Sequence, residues 1–141
     1  MPSSHPIVGV WYARIFGAPF EYHMLTFHQD GTMTQSNPPA GNKTGSDSIG
    51  MGPWRARGTK VHAKFVEVTA SHHTHQFMSR GEITLVLTLA GDTFAGSAQA
   101  CFYDEHNNLV GGPTHEKVQG WRVTLDKPTP YTPPSGSPVR R

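Results

Sequence analysis

The chain has 141 residues, 12 basic against 10 acidic side chains for a formal charge of +2, and 35% apolar residues with 15 Gly and 12 Pro. That length suits one domain with a real core or an enclosed cavity and excludes two independent cores. The basic residues are scattered except for the terminal Arg140 and Arg141, which excludes a phosphate-binding stripe and makes nucleic acid an unexpected partner. No run approaches the roughly 18 apolar residues of a membrane-spanning helix, so no membrane span is expected.

Ile7 to Ile15 reads as the first strand, with Gly9, Trp11 and Ala13 on one face by period two. Gly17-Ala18-Pro19 turns it into Phe20 to Phe27, and Asp30-Gly31, the strongest hairpin signal in the chain, leads into Thr32 to Asn37. Taking Leu25, Phe27 and Met33 as inward places Glu21, His23, Gln35 and Asn37 inward as well, farther from that hairpin. Pro38 to Ser48, rich in Pro, Gly, Asn and Ser, reads as a flexible loop placed to lid the mouth of whatever the strands enclose.

Gly50 to Trp54 opens the next strand, where Pro53 argues for an edge or a bulge. Lys60 to Thr69 follows, with Val61, Ala63, Phe65 and Glu67 inward if Phe65 packs in the core. The opposite parity, with Val66 and Val68 inward, stays open, because a slip of one residue reverses every assignment. Ala70 to Gln76 is expected to be a hairpin loop, and Phe77 to Leu89 a long strand with Ile83, Leu85, Leu87 and Leu89 on one face. Thr93 to Tyr103 sets Gly96, Ala98 and Ala100 between Phe94 and Phe102, so small side chains leave room between two aromatics. After a loop at Asp104 to Asn108 and the stretch Leu109 to Gly112, the closing strand runs from Thr114 to Leu125 with Thr114, Glu116, Val118, Gly120 and Arg122 inward. Residues 1–126 form this unit, and the Pro-rich tail 127–141 is expected to fray or to lie extended on the surface.

Gly9-Val10-Trp11 on the first strand and Gly120-Trp121-Arg122 on the last resemble the pair with which lipocalin-like barrels close, a guanidinium stacked over an indole. Over roughly residues 5 to 126 the chain resembles the calycin superfamily, the lipocalins and their bacterial relatives. The resemblance implies an all-β protein, a single antiparallel up-and-down barrel of about eight strands with its closed end near Trp11 and Arg122. It also implies a container for a small molecule. The single Cys101 has no intrachain disulfide partner and Met1 to Pro6 lacks the regions of a signal peptide, so a cytoplasmic location is expected rather than extracellular transport.

The expected function is binding of a small, mostly apolar molecule in the barrel cavity, with Met33, Gln35, Asn37 and Trp54 among the contacts. Phe65, Phe94, Phe102 and Tyr103 complete the expected ligand-binding set. The alternative is a cofactor-free isomerase, cyclase or lyase in the same cavity. There His23 shuttles a proton, Glu67 or Glu21 accepts one or orients the ring, and Gln35, Asn37 or Tyr103 donates to a developing enolate or alkoxide. No nucleophile elbow, phosphate loop or dinucleotide fingerprint is present, and no cofactor is expected. The cluster His72, His73 and His75 sits in a loop with no ligand framework, so no metal is expected either. A homodimer is compatible with the sequence.

Overall fold

Alternating side chains and Gly- or Asp-containing turns produce ten strands and no helix in the computed structural model, which describes residues 4–40, 42–131 and 133. In chain order they are β1 (Gly9–Ile15), β2 (Tyr22–Phe27), β3 (Thr32–Ser36), β4 (Gly45–Asp47) and β5 (Gly50–Arg57). The second half holds β6 (Lys60–Ser71), β7 (Phe77–Ala90), β8 (Thr93–Tyr103), β9 (Leu109–Gly111) and β10 (Glu116–Arg122). Eight strands close an antiparallel barrel in the order β1-β2-β3-β5-β6-β7-β8-β10, with β10 returning to β1. The two short strands lie off this ring, β4 against the end of β6 and β9 against the end of β8. No helix among the described residues is long and apolar enough to cross a membrane.

Register is set locally. The Asp30 carboxylate accepts from the Thr32 amide at 2.9 Å and from its hydroxyl at 2.7 Å, which pins the β2–β3 hairpin with Phe27 opposite Met33. On β6 the parity is the one with Val61, Ala63 and Phe65 buried, and Val68 lies on the exposed face. The stretch expected to be all loop before Gly50 contains β4 instead. Asn42 holds its start by accepting the Gly45 amide at 3.0 Å, and Thr69 holds its end by donating to Asp47 at 2.5 Å.

One end of the barrel is filled by its own side chains. Trp11 is fully buried, donates its indole N–H to the Ile7 carbonyl at 2.8 Å and tilts against Phe94 at 4.9 Å between ring centres. The Arg122 guanidinium stacks over the indole at 4.4 Å, donates to Asp92 at 2.8 Å and to the Val8 carbonyl at 3.1 Å, and also reaches the Pro6 carbonyl. Gly9 explains the Gly-x-Trp spacing. Its φ of +139° suits only glycine, and a Cβ there would stand 3.0 Å from Nη1 of Arg122.

The tail expectation falls mostly outside the described residues. Of what is described, residues 127–131 form no strand, and Tyr131 stacks on Tyr22 of the outer wall at 5.6 Å.

Candidate functional site

The apolar filling gives way part-way along the strands. On β6 the inward series Val61, Ala63, Phe65 continues as Glu67 and Thr69, and on β8 the inward Ala98 and Ala100 are too small to meet the opposite wall. The result is a cavity of about 430 Å³ at the end away from Trp11. Phe65, Phe102, Ile15 and Ile83 form its apolar wall, and the β1–β2 turn contributes Ala18, Pro19 and Phe20 to the rim. Pro38, Pro39, Asn42 and Asp47 also line it, so the segment between β3 and β5 covers part of the mouth.

Four ionisable side chains face this space: His23, Asp47, Glu67 and Glu116. His23 is fixed at both ring nitrogens. Nε2 lies 3.0 Å from the Phe20 carbonyl, which can only accept, so Nε2 carries the proton, and Nδ1 accepts from Gln35 Nε2 at 2.8 Å. Burial pulls the ring down to about 4, against the opposing pull of the Phe20 carbonyl, so the imidazole is neutral at pH 7. The second proton of the Gln35 amide goes to Asn37 Oδ1 at 2.6 Å. His23, Gln35 and Asn37 therefore form one chain along β2 and β3.

Glu67 is in a different state. Burial pushes its carboxyl up to about 7, and the Asp47 charge adds to the rise. Asp47 is satisfied by Thr69 and by Asn42 at 3.3 Å, and Glu116 accepts from the Thr114 hydroxyl at 2.9 Å. Glu67 accepts no hydrogen bond from the described residues. Its stem and the Phe102 ring both border Gly81: a Cβ there would lie 3.1 Å from Phe102 Cε1 and 3.3 Å from Glu67 Cγ.

Of the residues singled out from the sequence, His23, Glu67, Asn37, Phe65 and Phe102 line the cavity, and Gln35 reaches it through His23. The others lie elsewhere. Glu21 is buried outside the cavity, where it accepts from Arg14 Nε at 2.9 Å and from the Gly17 amide at 2.8 Å and so ties down the β1–β2 turn. The alternation of burial does extend to Glu21, but its carboxylate is taken by Arg14 and the Gly17 amide and does not line the cavity. Met33 and Phe94 are inward but sit in the packed core. Trp54 stands edge-on to Phe27 at 6.2 Å and donates to the His28 carbonyl at 2.8 Å, away from the cavity. Tyr103 carries the Arg80 guanidinium over its ring at 4.9 Å and does not line the cavity.

Asp47, Thr69 and Ile15 are wall residues that sequence reasoning did not single out, and Thr114 and Glu116 were placed inward without a role. Period two carried signals for Ile15, Thr114 and Glu116. Nothing local marked Asp47, whose position depends on β4 pairing with β6. Among the described residues no group of three His, Cys, Asp or Glu side chains is arranged to hold a metal ion.

Comparison with protein-family models, with curated proteins and with solved structures finds no match to this chain. The geometry of the barrel is compatible with a calycin-like fold.

Proposed function

We propose that the chain binds a small, mostly apolar molecule in the open half of its barrel, as a calycin-like container. The observation that carries this reading is the split along the barrel axis: one end filled by Trp11, Phe27, Met33 and Phe94, the other left as a cavity of about 430 Å³ with an apolar wall and a few polar groups. That volume and composition are those of small-molecule sites, which run from about 300 to 1,000 Å³. The Trp11–Arg122 corner supports the calycin assignment, and the lone Cys101 supports a reducing cytoplasm.

None of the three tryptophans lines the cavity, so a bound apolar fluorophore is the better reporter. The uncharged dye N-phenyl-1-naphthylamine should brighten on titration with the protein. The enhancement should disappear when the space is filled by Ala98→Leu with Ala100→Leu. An unfilled barrel that gives no enhancement ends the reading.

A second reading is favoured by Glu67 alone: a cofactor-free isomerase, cyclase or lyase in the same cavity. A carboxyl near 7, with no hydrogen bond to either oxygen from the described residues, is poised to take and return a proton at neutral pH. In that reading Glu67 is the acid-base group, and His23, tied at both nitrogens, positions Asn37 and Gln35. Given a substrate, Glu67→Gln should then lower turnover by about 10²–10⁴ with binding nearly intact.

A further inference from the structure

We propose that the polar end of the cavity selects a positively charged group, so that the ligand is an apolar amine bound as its ammonium ion. The inference rests on the reading of the cavity as a small-molecule site and names the charge of what it takes. Asp47 from β4, Glu67 from β6 and Glu116 from β10 line the open half, and no lysine or arginine is in its described wall. His23 is the remaining ionisable group there and is held neutral.

Several cations of the sheet already have acidic partners. Arg14 pairs with Glu21, Lys64 and Arg80 both pair with Glu82, and Arg122 pairs with Asp92. Of the acids beside these cations, Glu21, Glu82 and Asp92 meet counter-ions, whereas Asp47, Glu67 and Glu116, like the turn acids Asp30, Asp104 and Asp126, meet none within ion-pair distance among the described residues.

A second observation is independent of these acids. Gln35 is 1% exposed on the inward face of β3, and its Oε1 is buried with no donor among the described residues. A Cβ built on Gly50 would lie 2.8 Å from that oxygen and 2.4 Å from Cδ2 of Phe65, so the unpaired acceptor and the ring that walls the cavity both border Gly50. Together the interior is rich in acceptors and poor in donors. A primary ammonium offers three N–H donors and a charge, and the rings of Phe65 and Phe102 in the same wall suit a cation as well as an alkyl chain. A carboxylate ligand would meet like charge and more acceptors, and an alcohol would supply one donor where several are wanted.

Three ten-carbon probes separate these cases by their head groups alone: decylamine, decan-1-ol and decanoate, each competed against N-phenyl-1-naphthylamine at pH 8. Decylamine should bind at least about tenfold tighter than decanol, and decanoate more weakly than either. Glu67→Gln and Asp47→Asn, made separately so that misfolding of one does not end the test, should each cut the amine preference by about fivefold or more and leave decanol affinity nearly unchanged. Decanol or decanoate binding as tightly as decylamine overturns the charge assignment and leaves the cavity reading standing. An amine preference unmoved in both folded variants overturns it too. Failure of the dye and all three probes to bind overturns the cavity reading, and the charge assignment with it.

Discussion

At the Trp11 end of the barrel the inward positions carry Phe27, Met33, Leu87 and Phe94 packed around a fully buried indole, and at the other end the same strands carry His23, Glu67, Ala98, Ala100 and Phe102 around open space. Both halves share the strands β1, β2, β6, β7, β8 and β10 and the same alternation, so backbone architecture does not distinguish them. Side-chain volume and polarity do. The filled half removes apolar area from water at roughly 25 cal/mol per Å² and holds the barrel shut. The hollow half forgoes part of that stabilisation and keeps a carboxyl whose charge the cavity disfavours, which makes it the half where a ligand adds most.

The largest effects should therefore come from the filled end. Trp11→Ala should cost about 4 kcal/mol in urea unfolding, the range for deleting a large buried aromatic, and Arg122→Ala about 2–3 kcal/mol through the lost stacking and three lost acceptors. Losses below about 1 kcal/mol at both positions would break the contrast, because the corner would then not be what closes the barrel. At the hollow end, Phe102→Ala should cost only about 1–2 kcal/mol, since the ring is partly exposed already, while weakening dye binding by about tenfold. A stability loss as large as that of Trp11→Ala would mean that Phe102 is core and not cavity wall.

The next contrast is in pH dependence, within the hollow half itself. Glu67 titrates higher in the folded chain than unfolded, so the folded state holds the extra proton between about 4.5 and 7 and stability falls as pH rises through that window. His23 titrates lower when folded, near 4, so the unfolded state holds the extra proton and stability rises with pH from about 4 to its ordinary 6.5. The two slopes oppose each other where they overlap. Glu67→Gln should remove the fall, leaving Tm climbing from pH 4 to 6.5 and roughly 3 °C above the parent at pH 8, a modest gain because part of that carboxyl stays solvated. Melting curves in which the variant keeps the parent's full pH profile would show that Glu67 is not buried as described.

The smallest expected effect is at Gly81, which borders both Phe102 and Glu67. A methyl there meets Phe102 and Glu67 at 3.1 and 3.3 Å, so both must yield by a few tenths of an ångström. Gly81→Ala should change stability by no more than about 0.5 kcal/mol and weaken the dye about threefold, by narrowing the space beneath it. Unchanged affinity would place the bound probe away from Glu67 and Phe102.

Much of the filled half was legible in the chain. Gly9, Trp11, Gly120 and Arg122 carry a close-approach chemistry that few alternatives satisfy, Asp30-Gly31 specifies its own hairpin, and the run Ile83 to Leu89 states its inward face by period two. The same periodicity correctly put His23, Glu67, Phe102 and Glu116 on the inner face. It also marked Met33, Phe94 and Trp54 as candidate contacts, and these pack in or against the core rather than along the cavity.

Period two thus determined from sequence alone which residues of each strand share a face, because that depends only on neighbours two residues apart, while on β6 only the structure showed which face is inside. How far along the barrel axis each inward residue stands was decided by the tertiary structure, since it follows from strand tilt and from the stagger of each strand against the next. The pairing that brings Asp47 beside Glu67 joins β4 to the end of β6 across more than twenty residues, and the ion pair that withdraws Glu21 from the cavity depends on Arg14 of the neighbouring strand. Neither contact is written in local sequence. The upward shift of the Glu67 carboxyl and the downward shift of the His23 ring follow from burial that only the closed barrel creates.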